Sequence, residues 1–365
     1  MKFIYIIWSC LFIALLSACK NDFAYQIEGE ISNLENSTIY AIFEKEDEKW
    51  VDTIQCKTDG AFKIQHQSTD VQSVTLFFEN KTCWTTVYPE LYKTTKIEGD
   101  IHYPSLFEIK GNPINDELSK LRKKHHKTLK EITDIEDQLQ TNMQTAKKND
   151  LNSRLTSLGF QLREELVLYI QENTEKEASA VLINNYFCNP DDTRKTEELL
   201  AALDSNLSQN YLVKRLNQFV QRAKRTELGE EAPDFTVSDI YGEPLSLDSF
   251  PQKYLLLTFT APWCEMCQPE NIFLNEVVRS YSKDTIDMLL VSLCDDMDEI
   301  GLLLENDTIE WHLVTDSAGQ AGAMLDLYNV NALPRSFLID KERRIVLKTE
   351  AGLEVKHTLD KLFNK

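Results

Sequence analysis

Across residues 22–112, apolar and polar positions alternate in short runs parted by turn residues. Tyr25-Gln26-Ile27-Glu28-Gly29-Glu30-Ile31, Thr38–Phe43, Trp50–Ile54, Ala61–Ile64 and Val74–Phe78 are examples. A period of two marks strands with one face on a core. Asp59-Gly60, between two of these runs, predicts a hairpin turn. The stretch 19–112 therefore reads as a small all-β domain, sandwich-like, with no catalytic constellation. From 113 the period lengthens. Leu118, Leu121, His125, Ile132, Ile135, Leu139, Met143 and Ala146 recur at three- and four-residue steps or their sums. Leu151, Leu155, Leu158, Leu162, Leu166 and Tyr169 resume the pattern after a break at Lys148-Asn149-Asp150. This predicts an antiparallel helical hairpin, then shorter helices near 176–187, 194–204 and 208–226, all within a helical segment 113–228. Its apolar seam would serve either its own core or a homodimer.

Strands and helices alternate over 229–365. Phe235–Val237 and Pro244–Leu247 flank Tyr241-Gly242 as a hairpin, and Tyr254–Thr260 is the continuous apolar run of a buried central strand. A helix is expected over about 264–281, then a strand at 286–293, a helix near 297–305 and a strand near 311–314. A helix near 319–328, strands at 336–340 and 345–349 and a helix near 354–363 follow. The fold class is multidomain α+β: a β-sandwich-like N-terminal domain, a helical middle and a C-terminal α/β domain.

Residues 1–18 hold one charge, Lys2, ahead of an apolar run that ends at Leu16-Ser17-Ala18-Cys19. That is the form of a secretory leader, and the run is short for a spanning helix. Leu-Ser-Ala-Cys resembles the bacterial lipobox, which implies lipidation at Cys19 and a chain anchored in the cell envelope, facing the periplasm. Which membrane carries it stays open. The net charge of −20 excludes the counterion-releasing surface of a nucleic-acid binder and peripheral binding to anionic lipid. Six cysteines beyond Cys10 and Cys19 are too few for a disulfide scaffold. Whether Cys56 and Cys83 pair is open, while Cys188 and Cys294 are expected to be buried. His66, His102 and His125-His126 read as structural or solvated rather than as metal ligands.

Chemistry concentrates at Trp263-Cys264-Glu265-Met266-Cys267, directly after the buried strand and before a helix. Two thiols so spaced lie within bonding reach, and a helix N-terminus favours the thiolate of the first. That thiolate attacks a substrate disulfide and the second thiol resolves the mixed disulfide. A zinc site would need two further ligands in a paired motif, and the sequence has none, so no metal or organic cofactor is expected.

With Gly229-Glu230-Glu231-Ala232-Pro233-Asp234-Phe235, Tyr328-Asn329-Val330 and Leu333-Pro334 before Phe337-Leu338-Ile339-Asp340, residues 229–365 resemble the TlpA/ResA-like thioredoxin family. The first two segments more loosely resemble the region preceding such domains in anchored bacterial lipoproteins. The resemblance implies a thioredoxin fold in which Cys264 attacks and Cys267 resolves. It also implies that Pro334 is a cis-proline facing them, that Leu333 offers its backbone to a substrate strand, and that Trp263 shields one side. Glu270 matches the family's acid near the cysteines and would take the proton of Cys267. Two positions depart from the thioredoxin pattern: Thr258 stands where thioredoxin has a buried Asp, and Met266 where a Pro is usual. Peroxiredoxins place Pro seven and Thr three residues before their reactive Cys; Leu257 and Ala261 stand there, so peroxidase chemistry is not expected.

Glu265 and Glu270 flank the pair, and negative charge disfavours a thiolate. That points to a reductase fed by an upstream membrane thiol reductant and acting on protein disulfides. The resemblance implies cytochrome c maturation as the setting. The rival readings are a disulfide isomerase, if the helical seam dimerises two such domains, and a non-catalytic binding lipoprotein using the domain as a scaffold.

Overall fold

The computed structural model describes residues 23–45, 48–141, 144–296, 298–299 and 312–363. The expected leader, Cys19, Met143 and most of the helix expected near 297–305 fall outside these residues. Contacts divide the chain into two units, Met1–Phe187 with Leu199–Lys214, and Cys188–Glu198 with Arg215–Lys365.

In the first unit, alternating strands build two four-stranded sheets. One has the order β4 (Ala61–His66), β1 (Tyr25–Ser32), β7 (Thr94–Asp100), β8 (Glu108–Lys110). The other runs β3 (Lys49–Gln55), β2 (Thr38–Glu44), β5 (Ser73–Phe78), β6 (Cys83–Val87). The inward residues of both, among them Ile27, Ile97, Phe43 and Leu76, share one core, which makes the pair a sandwich. The turn at Asp59-Gly60 exists, with Gly60 at φ +79°, and a Cβ there would meet the Ile31 carbonyl oxygen. It does not close a hairpin. β3 pairs with β2 and β4 with β1, so the turn carries the chain from one sheet to the other. Turn chemistry reports a reversal and not which strands pair after it.

Asn112 caps α1 (Pro113–Lys124), its side chain accepting the Asn115 N–H at 2.8 Å, with Pro113 in the first helical position. α2 (His126–Leu139) follows after a single residue, and α3 (Thr145–Glu172) returns beside it, with Arg154 Nε bonded to Glu131 at 2.7 Å. The break expected at Lys148-Asn149-Asp150 is absent: α3 runs straight through it, because three solvated polar residues without Pro or Gly do not stop a helix. The boundary between helices lies earlier, α2 ending at Leu139 and α3 starting at Thr145. The seam residues Leu158, Leu162, Leu166 and Ile170 are buried within this unit by the chain's own packing. α4 (Glu177–Tyr186) continues the unit, and α5 (Arg194–Ala202) and α6 (Tyr211–Lys224) run across the division between units.

In the second unit, β9 (Val237–Ser238) and β10 (Pro244–Leu245) form the expected hairpin. Behind it lies a five-stranded sheet, β13 (His312–Val314), β12 (Ile286–Ser292), β11 (Tyr254–Thr260), β14 (Arg335–Ile339), β15 (Ile345–Thr349). β11, β12 and β13 are parallel, and β14 and β15 antiparallel. Central β11 has apolar residues on both faces. Leu255, Leu257 and Phe259 pack with Tyr328, Phe337 and Met324 of α8 (Gln320–Leu327). Leu256, on the other face, joins Leu274 and Val277 of α7 (Cys267–Arg279) and Val355 and Leu359 of α9 (Gly352–Phe363). Helices thus cover both faces of the sheet, as the strand–helix alternation predicts. α7 starts at Cys267 rather than Cys264, because residues 264–266 form a turn. Pro269 falls in its first turn, where its missing N–H has no partner to lose, so no kink follows.

Candidate active site

β11 ends at Thr260, and the chain then turns twice in quick succession. Cys264 N–H donates to the Ala261 carbonyl at 3.2 Å, and Cys267 N–H to the Cys264 carbonyl at 3.0 Å. These turns bring the two sulfurs together in a disulfide, with the Cα atoms 5.3 Å apart. Both cysteines cluster with Ala261, and Leu293 and Leu333 pack against them. The thiols are not equivalent: Cys264 is 8% exposed and Cys267 wholly buried, so an incoming disulfide reaches Cys264 first. Cys264 precedes α7 and Cys267 opens it, so the positive helix end lies beside the pair.

The Leu333–Pro334 peptide is cis and leads into β14, with Pro334 buried and Leu333 half-buried against the disulfide. Trp263 is 69% exposed and Met266 66%, so the rim of the site is apolar and open. Trp263 thus presents most of its surface to solvent next to the cysteines. Glu270 is half-buried, and its Oε2 accepts the Gly352 N–H at 2.7 Å at the start of α9. Its carboxylate thus caps a helix as well as standing one turn beyond Cys267.

Other motif residues hold the scaffold. Tyr328 is fully buried against Phe259 and Phe337, and its hydroxyl donates to the Pro233 carbonyl at 2.6 Å. Burial pushes that phenol far above its usual range. Asp234 Oδ1 accepts the N–H groups of Phe235 and Leu247. Thr258, where thioredoxin has its acid, is fully buried and shares a hydrogen bond with Ser336 at 2.9 Å across the β11–β14 pair.

Two features are invisible to a reading by sequence spacing. Arg335, directly after Pro334, is buried and paired with Asp191 and with Glu350 at 3.1 Å. Asn271, on α7 four residues after Cys267, is buried and bonded to Thr260. Neither belongs to a local motif; partners 144 and 11 residues away define them. Cys56, Cys83, Cys188 and Cys294 are free thiols, all half-buried, and burial raises Cys56 and Cys188 to about 11. The expected burial of Cys188 and Cys294 is therefore only partial, both lying on the flanks of packed segments rather than in a core.

Residues 228–348 match the AhpC/TSA family, and residues 25–118 match a domain of unknown function, DUF4369. A thiol-disulfide oxidoreductase ResA from Bacillus thuringiensis is 29% identical over 168 residues, covering 46% of this chain and 90% of the relative. A second ResA, from Geobacillus thermodenitrificans, is 28% identical over 167 residues, covering 45% of this chain and 90% of its own length. The C-terminal domain is similar to thiol-disulfide oxidoreductases of the thioredoxin fold. A solved thiol-disulfide oxidoreductase from Bacteroides fragilis aligns at 28% identity with a TM-score of 0.34, covering 36% of this chain and 99% of that one. Of the two cysteines in this site, only Cys264 keeps any exposure, Cys267 being wholly buried.

Proposed function

We propose that the chain is a lipid-anchored, periplasm-facing oxidoreductase that reduces protein disulfides. The Cys264 thiolate attacks a substrate disulfide, forming a mixed disulfide and releasing the first substrate thiolate. Cys267 gives up its proton and attacks Cys264, forming the internal disulfide and releasing the second substrate thiolate. Glu270 is the proposed acceptor of that proton. The backbone of Leu333 pairs with an extended substrate segment, and Trp263 and Met266 supply apolar contact. A membrane thiol reductant then returns two electrons and two protons to the pair. The Cys19 lipobox supports anchoring, and the family resemblance supports cytochrome c maturation as the setting.

The observation that carries the direction is the charge around the sulfurs. Glu265 and Glu270 flank the pair, while Arg335, directly after Pro334, is committed to Asp191 and Glu350. A Cys264 thiolate gains little beyond the helix end, and strong oxidants depend on a stabilised reduced form. The test is the equilibrium reduction potential of the Cys264–Cys267 pair, read by thiol trapping across a graded redox buffer. A value near about −270 mV, that of thioredoxin, is expected; one of about −120 to −180 mV would place the protein among oxidases and isomerases.

A further inference from the structure

The sheet face beneath α7 changes character along its length. Residues 256, 258 and 260 of β11 point to this same face. Leu256 meets Leu274 and Val277, but toward the disulfide the face turns polar, with Thr258 opposite Ser336 and Thr260 opposite Ser292. α7 answers with Asn271 and Asn275, and all six polar residues are at most 5% exposed. Among the described residues this layer is neutral and nearly complete: Thr258 bonds Ser336, and Asn271 Nδ2 donates to Thr260 Oγ1 at 2.9 Å. Asn271 Oδ1 and the Ser292 hydroxyl, however, are buried without a hydrogen-bond partner. An unmet acceptor in a dry site is costly and calls for a reason.

The position of Asn271 supplies one. It lies four residues after Cys267, one helical turn on, and helical side chains lean toward the N-terminus, so its amide lies over the turn that Cys267 opens. Thr260 anchors the amide next to Ala261, the residue that clusters with both cysteines. With the amide nitrogen held there, the oxygen is fixed rather than free to seek another donor.

We propose that Asn271 Oδ1 accepts the Cys267 S–H once the pair is reduced, which makes Asn271 a positioning residue that selectively favours the dithiol form. When two glutathione molecules reduce the protein, the Cys264–Cys267 S–S bond breaks and one S–S bond forms between the glutathiones. Their two thiol protons end on Cys264 and Cys267. The Cys267 thiol arises where exposure is 0%, out of reach of solvent, and needs an internal acceptor. The oxygen that lacks a partner beside the disulfide gains one beside the thiol. The neutral amide thus does part of the work that a buried carboxylate does in thioredoxin, without adding charge. The inference rests on Cys264 and Cys267 cycling, as the proposed function requires.

The test uses the full chain equilibrated in graded glutathione buffers, with the dithiol fraction read by thiol trapping for wild type, Asn271→Leu and Asn271→Asp. Leucine removes the acceptor, and the Thr260 hydroxyl loses its partner equally in both states. N271L is expected to shift the equilibrium about five-fold toward the disulfide, about 20 mV at 29.6 mV per decade. That adjustment is small beside the span of about 90 mV between thioredoxin and protein disulfide isomerase. N271D keeps an acceptor oxygen and is expected to hold the wild-type equilibrium or move it toward the dithiol. A folded N271L with an unchanged equilibrium overturns the proposal, as does an equal shift in both variants. Should N271L fail to fold, a shift of N271D toward the disulfide overturns it alone. If the wild-type pair never cycles, the proposed function itself fails, and that outcome is separate from these.

Discussion

Glu270, the acid that the family resemblance singles out and that is proposed to take the Cys267 proton, has a structural task in the fold. Its Oε2 takes the Gly352 N–H at the start of α9, where an anion at a helix N-terminus is favoured. A Cβ added at Gly352 would stand 2.6 Å from that oxygen, 2.7 Å from Phe273 Cδ1 and 3.2 Å from Leu274 Cδ2. Gly352→Ala is therefore expected to cost about 1–3 kcal/mol through overpacking, and to push Glu270 off its cap. Urea unfolding of the variant checks the first effect. Glu270→Gln, which keeps the size and loses the charge, separates it from proton transfer: slower closure of the internal disulfide with little change in stability would mark the acid role. The position of Glu270, three residues from Cys267, could be read from the sequence. Its partner 82 residues away could not, because a cap is made by two elements that meet only after folding.

At the scale of elements, Glu117 joins three helices. From α1 it accepts hydrogen bonds from Lys120 on the same helix at 2.7 Å, the Tyr169 hydroxyl of α3 at 2.8 Å and Lys176, just before α4, at 3.0 Å. The Lys120 bond, then those of Tyr169 and Lys176, hold its carboxyl at about 2, well below the ordinary carboxylate value. A carboxyl whose folded value is depressed contributes stability that is present above its unfolded value, near pH 4.3. That contribution is lost as the pH falls toward 2. Thermal melts of wild type and Glu117→Gln should thus differ at pH 6, by about 1–2 kcal/mol for charge-assisted bonds, and converge near pH 2. A gap that persists at pH 2 would mean that shape rather than charge matters at this position. Periodicity alone predicts that helices occupy 113–228. It misplaces their breaks, since the apolar stripe continues through a turn whenever both helices bury the same kind of side chain.

For the molecule as a whole, the division of the chain does not follow the change from helices to the α/β pattern. Residues 188–198 and 215–228 belong with the redox domain. Asp191 is the reason within that unit: it receives Arg335, directly after the cis-proline, and Lys348 of β15 at 3.0 Å, both of them buried cations. Burial alone would raise the Asp191 carboxyl, but the Lys348 hydrogen bond and the two positive charges outweigh it and hold it low. Asp191→Ala leaves Arg335 and Lys348 beside each other with less compensation. It is expected to destabilise the redox unit by about 1–2 kcal/mol, toward the low end for a broken buried pair because the carboxylate is half exposed. The variant should also loosen β14 near Pro334. Hydrogen exchange at residues 335–339 checks this, and unchanged protection would sink the idea.

The thiol chemistry of the chain is legible in its local pattern. A buried strand, two cysteines three residues apart and a following helix are local, and local geometry brings the sulfurs together. Alternation at period two, and then at three and four, likewise determined where strands end and helices begin, because each pattern needs only one apolar surface. Folding adds what no local pattern carries: in the first unit the turn at Gly60 that links two sheets, and in the second Arg335 engaged by Asp191, Glu270 capping α9 and Asn271 buried on Thr260. Each is a contact between segments distant along the chain. A hydrogen bond or ion pair of this kind leaves no period in the sequence, since either partner alone reads as an ordinary polar residue.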